Sequence, residues 1–173
     1  MADHAQIESL ARELRNEPID ILLNNAGIYG PKEAKFGKTD YKAWAEVFAV
    51  NVMGPMKMAE CFVDNVASSE RKLIIGVSSQ MGSIGDNEYG QHYLYRSSKA
   101  ALNMVVKCFA VDLRDRGITA VVLHPGWVET DMGGSNAPLK PADSIRGMLQ
   151  VIGRLGPKDT GKFFSYDGSE ISW

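Results

Sequence analysis

Short apolar segments alternate with amphipathic helical segments along the whole of this chain of 173 residues. The apolar segments have the length and composition of strands buried on both faces of a sheet. We expect these strands at 19–23, 72–78, 118–123 and 163–166. We expect helices at 3–15, 40–66, 93–114 and 142–154. The alternation predicts an α/β fold, with one parallel sheet and helical crossovers, in a single domain over residues 1–173.

Composition and charge exclude several classes of protein. A formal net charge of −2 gives no electrostatic basis for binding nucleic acid or an anionic membrane surface. No apolar run is long enough to cross a bilayer, and the polar N-terminal segment lacks the apolar centre of a secretory signal, so we expect a cytoplasmic chain. Cys61 and Cys108 stand in apolar helical patterns without metal-ligand spacing, which predicts buried, reduced thiols and no metal site.

Tyr95 and Lys99 stand four residues apart in a helical pattern, so their side chains share one face of the helix. A free tyrosine has a pKa of roughly 10, too high for acid–base work near neutral pH. An ammonium group beside the phenol favours the phenolate, so we expect Lys99 to lower the pKa of Tyr95 for proton exchange with a substrate oxygen. Both residue types are common, and the same spacing also arises by accident on a solvated helix face.

Ser79 follows an apolar strand, in the sequence Ser-Ser-x-x-Gly. Ligands gather at the carboxyl ends of parallel strands. A hydroxyl at this edge can donate a hydrogen bond to a substrate carbonyl and stabilise developing negative charge. The alternative interpretation is an ordinary turn.

Asn51 and Pro55 lie four residues apart in the helix predicted at 40–66, for which Thr39 is the expected cap. Pro55 has no N–H to bond the carbonyl of Asn51, which predicts a kink and one free backbone acceptor. A free carbonyl there can hold a water and relay protons outward from Lys99. The alternative is that Gly54 and Pro55 only bend the helix around a core.

Together, these motifs resemble those of the short-chain dehydrogenase/reductase family. They occur in the family's order and approximate spacing, from about residue 19 to the C terminus, as NNAG at 24–27, Asn51, Ser-Ser-x-x-Gly, Tyr-x-x-x-Lys and PGWVETDM at 125–132. Several ordered motifs in one chain are more specific than any one of them. The C-terminal segments, such as KPADSIRGML, are most similar to the carbonyl-reductase and C-factor branch.

The resemblance implies a catalytic tetrad, a nicotinamide site and hydride transfer between NAD or NADP and a small carbonyl or alcohol substrate. Tyr95 is implied as acid and base, and Ser79 is preferred to Ser78. The tetrad comprises Asn51, Ser79, Tyr95 and Lys99. The positions that match the family's cofactor contacts are Asn25, Ala26, Gly27, Tyr95, Lys99, Pro125, Gly126, Val128 and Thr130.

One motif of the family has no match in this sequence, the Gly-rich turn of the TGxxxGxG kind that binds the pyrophosphate. Residues 1–16 resemble the helix before the family's fourth strand, so we expect the N-terminal nucleotide-binding half to be missing. The fold is then a partial Rossmann-like, doubly wound parallel sheet, with the last four strands and their flanking helices. The strand at 19–23 becomes an exposed edge.

Two functions remain open at this stage. One is an NAD(P)-dependent oxidoreductase, and the other is a truncated, non-catalytic protein that signals or binds a partner. In either case, the helices at 40–66 and 95–113 resemble the pair that forms a four-helix dimer interface in the family. We therefore expect a homo-oligomer.

Overall fold

The computed structural model describes residues 2–31 and 36–173. Its strands are β1 (Ile21–Asn24), β2 (Leu73–Val77), β3 (Thr119–His124) and β4 (Phe163–Ser165). They form one sheet in chain order, and each neighbouring pair is parallel. Leu23 pairs with Ile75, which in turn pairs with Val121. The predicted α/β class and the parallel sheet are confirmed.

Helices cover both faces of this sheet. They are α1 (His4–Glu13), α2 (Tyr41–Phe48), α3 (Gly54–Ala67), α4 (Tyr93–Asp112) and α5 (Pro141–Arg154). On one face, Phe62 of α3 and Val106 of α4 pack in one cluster with Ile74, and α1 joins them through Ile7. On the other face, α5 packs through Val151. Helices on both faces make the sheet doubly wound, as predicted.

Strand β2 shows why this chain needs both helical layers. All five of its residues are buried. Ile74 packs toward α3 and α4, whereas Leu73 and Ile75 pack toward α5, because successive side chains of a strand point to opposite faces. Burial of each large apolar side chain contributes about 1.5–3 kcal/mol. The strand that precedes Ser79 is therefore held firmly on both sides.

The helix predicted at 40–66 differs from the structure in two details. Asp40, not Thr39, caps α2, because its carboxylate lies three residues before Ala43 and accepts the N–H of that residue at 3.0 Å. Between α2 and α3 the backbone forms a π-helical turn, Ala49–Met53. The predicted interruption around Asn51 is thus present as an extra residue in the helical turn, a feature common at functional sites.

Strand β1 forms one edge of the sheet, as predicted, and Leu23 is 46% exposed there. The prediction of buried thiols is wrong: Cys108 is exposed and Cys61 is half-buried. Cys108 lies on the side of α4 that points away from the sheet. Among the described residues, no helix combines the length and apolarity needed to span a membrane.

Candidate active site

A cavity of ≈ 800 Å³ lies at the carboxyl ends of the strands. Its walls come from the segments that follow β1, β2 and β3, together with the start of α4 and one side of α5. This edge of a parallel α/β sheet is where ligands bind, and the volume is within the range of small-molecule sites. Ser79 and Tyr95 both line it, so the structure brings the predicted hydroxyl and phenol to one cavity.

Tyr95 and Lys99 share one face of α4, as their spacing predicts. Both side chains are buried. The Nζ atom of Lys99 lies 5.7 Å from the centre of the Tyr95 ring and donates a hydrogen bond to the carbonyl of Val77 at 2.9 Å. The ammonium group is therefore anchored to the end of β2.

The predicted direction of the Tyr95 pKa is wrong for the protein without a ligand. Burial raises the pKa of Tyr95 to about 12; hydrogen bonding to Ser79 opposes this rise, and Tyr29 adds to it. Burial also lowers the pKa of Lys99 to about 8. Burial removes the phenolate and the ammonium from water, which disfavours the charged form of each group. Tyr95 is consequently a neutral phenol at neutral pH, the form that can donate a proton.

Ser79 and Ser78 have different surroundings. Ser79 caps a short 3-10 turn, Gln80–Gly82, where its Oγ accepts the N–H of Met81 at 3.1 Å. It is half-buried and interacts with the phenol of Tyr95. Ser78 is buried, and its hydroxyl donates to the carbonyl of Lys99 at 3.5 Å. This geometry favours Ser79 over Ser78 as the hydroxyl available to a ligand.

Asn51 is fully buried in the π-helical turn and joins three segments. Its Oδ1 accepts the N–H of Ile28 at 2.8 Å, and its Nδ2 donates to the carbonyl of Ile28 at 2.9 Å. The same Nδ2 donates to the hydroxyl of Ser98, the neighbour of Lys99, at 2.9 Å. The side chain therefore fixes the segment after β1 against α4. The proposed relay through its backbone carbonyl stays a prediction.

The turn after β1 contributes unequally to the site. Asn25 lines the cavity, whereas Ala26 is exposed and lies outside its wall. Gly27 is half-buried, and a Cβ added to it would lie 3.3 Å from both Asn51 Oδ1 and Lys99 Nζ. Glycine therefore spares this turn two tight contacts and lets the backbone lie close to both groups.

The segment after β3 forms the opposite wall. Pro125, Gly126, Val128 and Thr130, all predicted cofactor positions, line the cavity. Gly126 has φ +86°, a backbone conformation that favours glycine, and an added Cβ would also lie 2.7 Å from the side chain of Leu139. The carbonyl of Pro125 accepts the hydroxyl of Ser144 at 2.6 Å, which ties this wall to α5.

Tyr29 and His124 are among the cavity residues that lie outside the candidate set. Tyr29, two residues after Gly27, stacks on the ring of Tyr95 with centroids 4.4 Å apart; its position in the sequence near the turn was the only available signal. His124, at the end of β3, lines the cavity as a neutral imidazole, because burial lowers its pKa to about 4 and Asp167 opposes this only in part. A base of that strength does not suit proton transfer at neutral pH.

Comparison with known proteins adds the following findings. The family model for short chain dehydrogenases matches residues 1–140. C-signal from Myxococcus xanthus is 42% identical over 167 residues, which cover 96% of this chain and 100% of that protein. The 1-hydroxy-2-glutathionyl-2-methyl-3-butene dehydrogenase of Rhodococcus sp. (strain AD45) is 34% identical over 173 residues, with 96% and 75% coverage.

Solved structures with the same fold include two carbonyl reductases. The NADPH-bound carbonyl reductase from chicken fatty liver superposes with a TM-score of 0.91 and 34% identity, over 99% of this chain and 74% of that one. Carbonyl reductase Sniffer of D. melanogaster gives a TM-score of 0.94 and 35% identity, over 99% and 75%.

Proposed function

This chain belongs to the short-chain dehydrogenase family, and from that premise we propose that it is an NAD(P)-dependent oxidoreductase that interconverts a carbonyl compound and an alcohol. One observation carries the proposal: a neutral, buried phenol and a serine hydroxyl line one cavity, with a buried lysine 5.7 Å from the phenol ring. Such a set transfers a proton to a carbonyl oxygen.

In the proposed reduction, Ser79 donates a hydrogen bond to the substrate carbonyl oxygen, and Tyr95 gives that oxygen its proton. A bound nicotinamide cofactor would supply the hydride for the carbonyl carbon. Lys99, held by the carbonyl of Val77, stabilises the phenolate that remains on Tyr95. Asn51 holds the segment after β1 in place through Ile28. In the reverse direction Tyr95 accepts the proton.

The described residues fit the nicotinamide–ribose end of such a cofactor. Gly27 leaves space beside Asn51 and Lys99 that a Cβ would partly fill. The cavity wall also contains two buried polar atoms, Nδ1 of His92 and Nδ1 of His124, that have no hydrogen-bond partner among the described residues. Buried polar atoms are normally satisfied, so these point to a polar ligand. No residue is assigned to the pyrophosphate, because the sequence contains no Gly-rich turn of the TGxxxGxG kind.

Titration of the purified chain with NADPH and with NADH, followed by nucleotide fluorescence and calorimetry, tests the proposal. We expect micromolar binding to at least one of them and reduction of a small ketone. Tyr95→Phe should keep binding but lose at least about a hundredfold in kcat, the size of a general-acid contribution. Binding no tighter than millimolar for both nucleotides contradicts an active enzyme in this form.

A second candidate function is signalling without catalysis. It is favoured by the 42% identity to C-signal, because this chain covers the whole of that protein. The two functions differ in their need for the phenol. If the protein signals without catalysis, a strain that lacks the gene is rescued by Tyr95→Phe as well as by the wild type; rescue by the wild type alone supports the oxidoreductase.

A further inference from the structure

Tyr29 lies against the proposed acid. Its ring and that of Tyr95 are stacked, with centroids 4.4 Å apart and planes inclined by 21°. The ring of His92 meets Tyr29 edge-on, with centroids 5.7 Å apart. Tyr29 therefore covers one face of Tyr95 on the side of the segment that follows β1. This contact involves a residue outside the tetrad.

Three features hold Tyr29 in that position. The side chain of Asn51 hydrogen-bonds to both the N–H and the carbonyl of Ile28, the residue just before Tyr29. Gly30, the residue just after it, has φ +76°, and a Cβ there would lie 2.9 Å from Val47, so the turn needs glycine. The phenol of Tyr29 donates to the sulfur of Met81 at 3.8 Å. The neighbouring backbone at Ile28 and Gly30, together with the hydrogen bond of the Tyr29 phenol, therefore holds the Tyr29 ring in its stacked position.

We propose that Tyr29 is a positioning residue for the proton transfer, whose ring holds the ring of Tyr95 and keeps water from its phenol. This inference rests on the proposed function. A covered phenol stays neutral to higher pH, because water is not available to stabilise the phenolate. The structure agrees with this direction, since burial is the largest cause that raises the pKa of Tyr95. The neutral phenol is the proton donor needed for reduction.

The other titratable groups around the phenol lie on other segments than Tyr29, and of these His92 also contacts the Tyr29 ring, a contact that Tyr29→Phe keeps. Lys99 lies one turn further along α4, and His92, Arg96 and His124 line the same cavity. The guanidinium of Arg96 is held by backbone carbonyls on the loop after β2 and on the segment before α4. A change in the ionisation of Tyr95 that occurs in Tyr29→Ala and not in Tyr29→Phe therefore reports the loss of the Tyr29 ring.

Nitration by tetranitromethane tests the inference on the protein without cofactor, because the reagent attacks the phenolate. Peptide mapping gives the rate for each tyrosine separately. We expect Tyr29→Ala to raise the nitration rate of Tyr95 about tenfold, as a pKa lower by one unit would do. Tyr29→Phe, which keeps the ring, should stay within about twofold of the wild type. Tyr41, which is exposed, is the internal control for the activity of the reagent. Tyr166, which is partly buried, is the control for a general loss of packing in the variant.

The pH dependence of kcat/KM for ketone reduction is the second measurement. Measured from about pH 9, above the Lys99 pKa of about 8, to about pH 11, below the Tyr95 pKa of about 12, the rate falls as Tyr95 begins to ionise. Tyr29→Ala should show a larger fall in this window, because its Tyr95 pKa is lower by roughly one unit, while Tyr29→Phe follows the wild type. If Tyr29→Ala does not fold, Tyr29→Leu, which has no ring, is compared in the same way.

The outcomes separate this inference from the proposed function. Faster nitration of Tyr95 in Tyr29→Ala, but not in Tyr29→Phe, supports the inference. If no variant reduces a ketone, this result still stands and only the proposed function fails. An unchanged rate for Tyr95, an equal rise in Tyr29→Phe, or a rise shared by Tyr166 overturns it. An active wild type with an unchanged pH profile in Tyr29→Ala also overturns it.

Discussion

Asn51 serves the site through its side chain, which holds the backbone of Ile28 and the hydroxyl of Ser98. Asn51→Ala leaves the N–H and the carbonyl of Ile28 without partners, so we expect the free energy of unfolding to fall by about 2–4 kcal/mol. NADPH binding should also weaken, because Gly27 and Tyr29 lose their anchor. Urea denaturation and fluorescence titration measure the two effects.

Asn65 provides the matched control for Asn51. It is also buried, and its Nδ2 donates to the carbonyls of Leu14 and Glu17, neither of which lines the cavity. Asn65→Ala should destabilise the protein by a similar amount and leave nucleotide affinity unchanged. Equal loss of affinity in both variants would show that Asn51 acts only through stability.

Lys99 makes stability depend on pH. Its pKa is lowered from 10.5 to about 8 by burial, so between these values the unfolded chain binds the proton and the folded chain does not. The contribution of Lys99 to the free energy of unfolding therefore rises with pH between these two values and is lowest below pH 8. Relative to Lys99→Met, the wild type should gain about 2 kcal/mol in free energy of unfolding from pH 7.5 to 10.

Urea denaturation at several pH values checks this dependence, with Lys158→Met as the control because Lys158 is exposed. The control should follow the wild type at each pH. Parallel curves for the wild type and Lys99→Met would contradict the prediction. Above pH 10 the raised pKa of Tyr95 acts in the opposite direction, so the measurement stops there.

Among the secondary-structure elements, the distance between β2 and α4 depends on Gly76. A Cβ at this position would lie 2.9 Å from Cγ2 of Val106 and 3.6 Å from Leu102. Gly76→Ala should therefore cost about 1–3 kcal/mol in stability, as overpacking does. Adding Val106→Ala should recover part of that loss, and thermal or urea unfolding of the single and double variants gives the coupling.

Gly153 is the control for this prediction, because its substitution by alanine should change stability in the opposite direction. It lies in α5, and a Cβ there meets no atom within 4 Å. Gly153→Ala should stabilise the protein by about 0.5–1 kcal/mol, because alanine favours a helix more than glycine does. Destabilisation of similar size in both variants would mean that the close approach at Gly76 is not the cause.

The elements were largely predictable because each apolar run must be buried on both faces of a sheet, as in β2. The meeting of Ser79 with Tyr95 followed from the carboxyl ends of parallel strands. The contact of Tyr29 was not predictable, because it depends on a left-handed turn at Gly30 and on packing distant in sequence. The sign of the Tyr95 pKa shift was missed because burial and charge oppose each other, and only geometry decides between them.

At the scale of the whole molecule, large apolar side chains are exposed to solvent near the start of α3 and on α4. Met53 and Met56 are exposed beside the start of α3, and Met104 and Val111 are exposed on α4, where Met104 reaches 63%. Exposed large apolar side chains that repeat along a helix face favour an interaction site. We propose that these faces, within 40–66 and 95–113, pair two copies of the chain.

Met104→Glu tests this assembly. A charge at the centre of the paired helices cannot be buried without a partner, so we expect the variant to sediment as a monomer at micromolar concentration where the wild type sediments as a dimer or larger. Leu149→Glu is the matched control, because Leu149 is equally apolar and 62% exposed but lies on α5, on the opposite face of the sheet. A monomeric wild type, or dissociation by both variants, would contradict pairing through these helices.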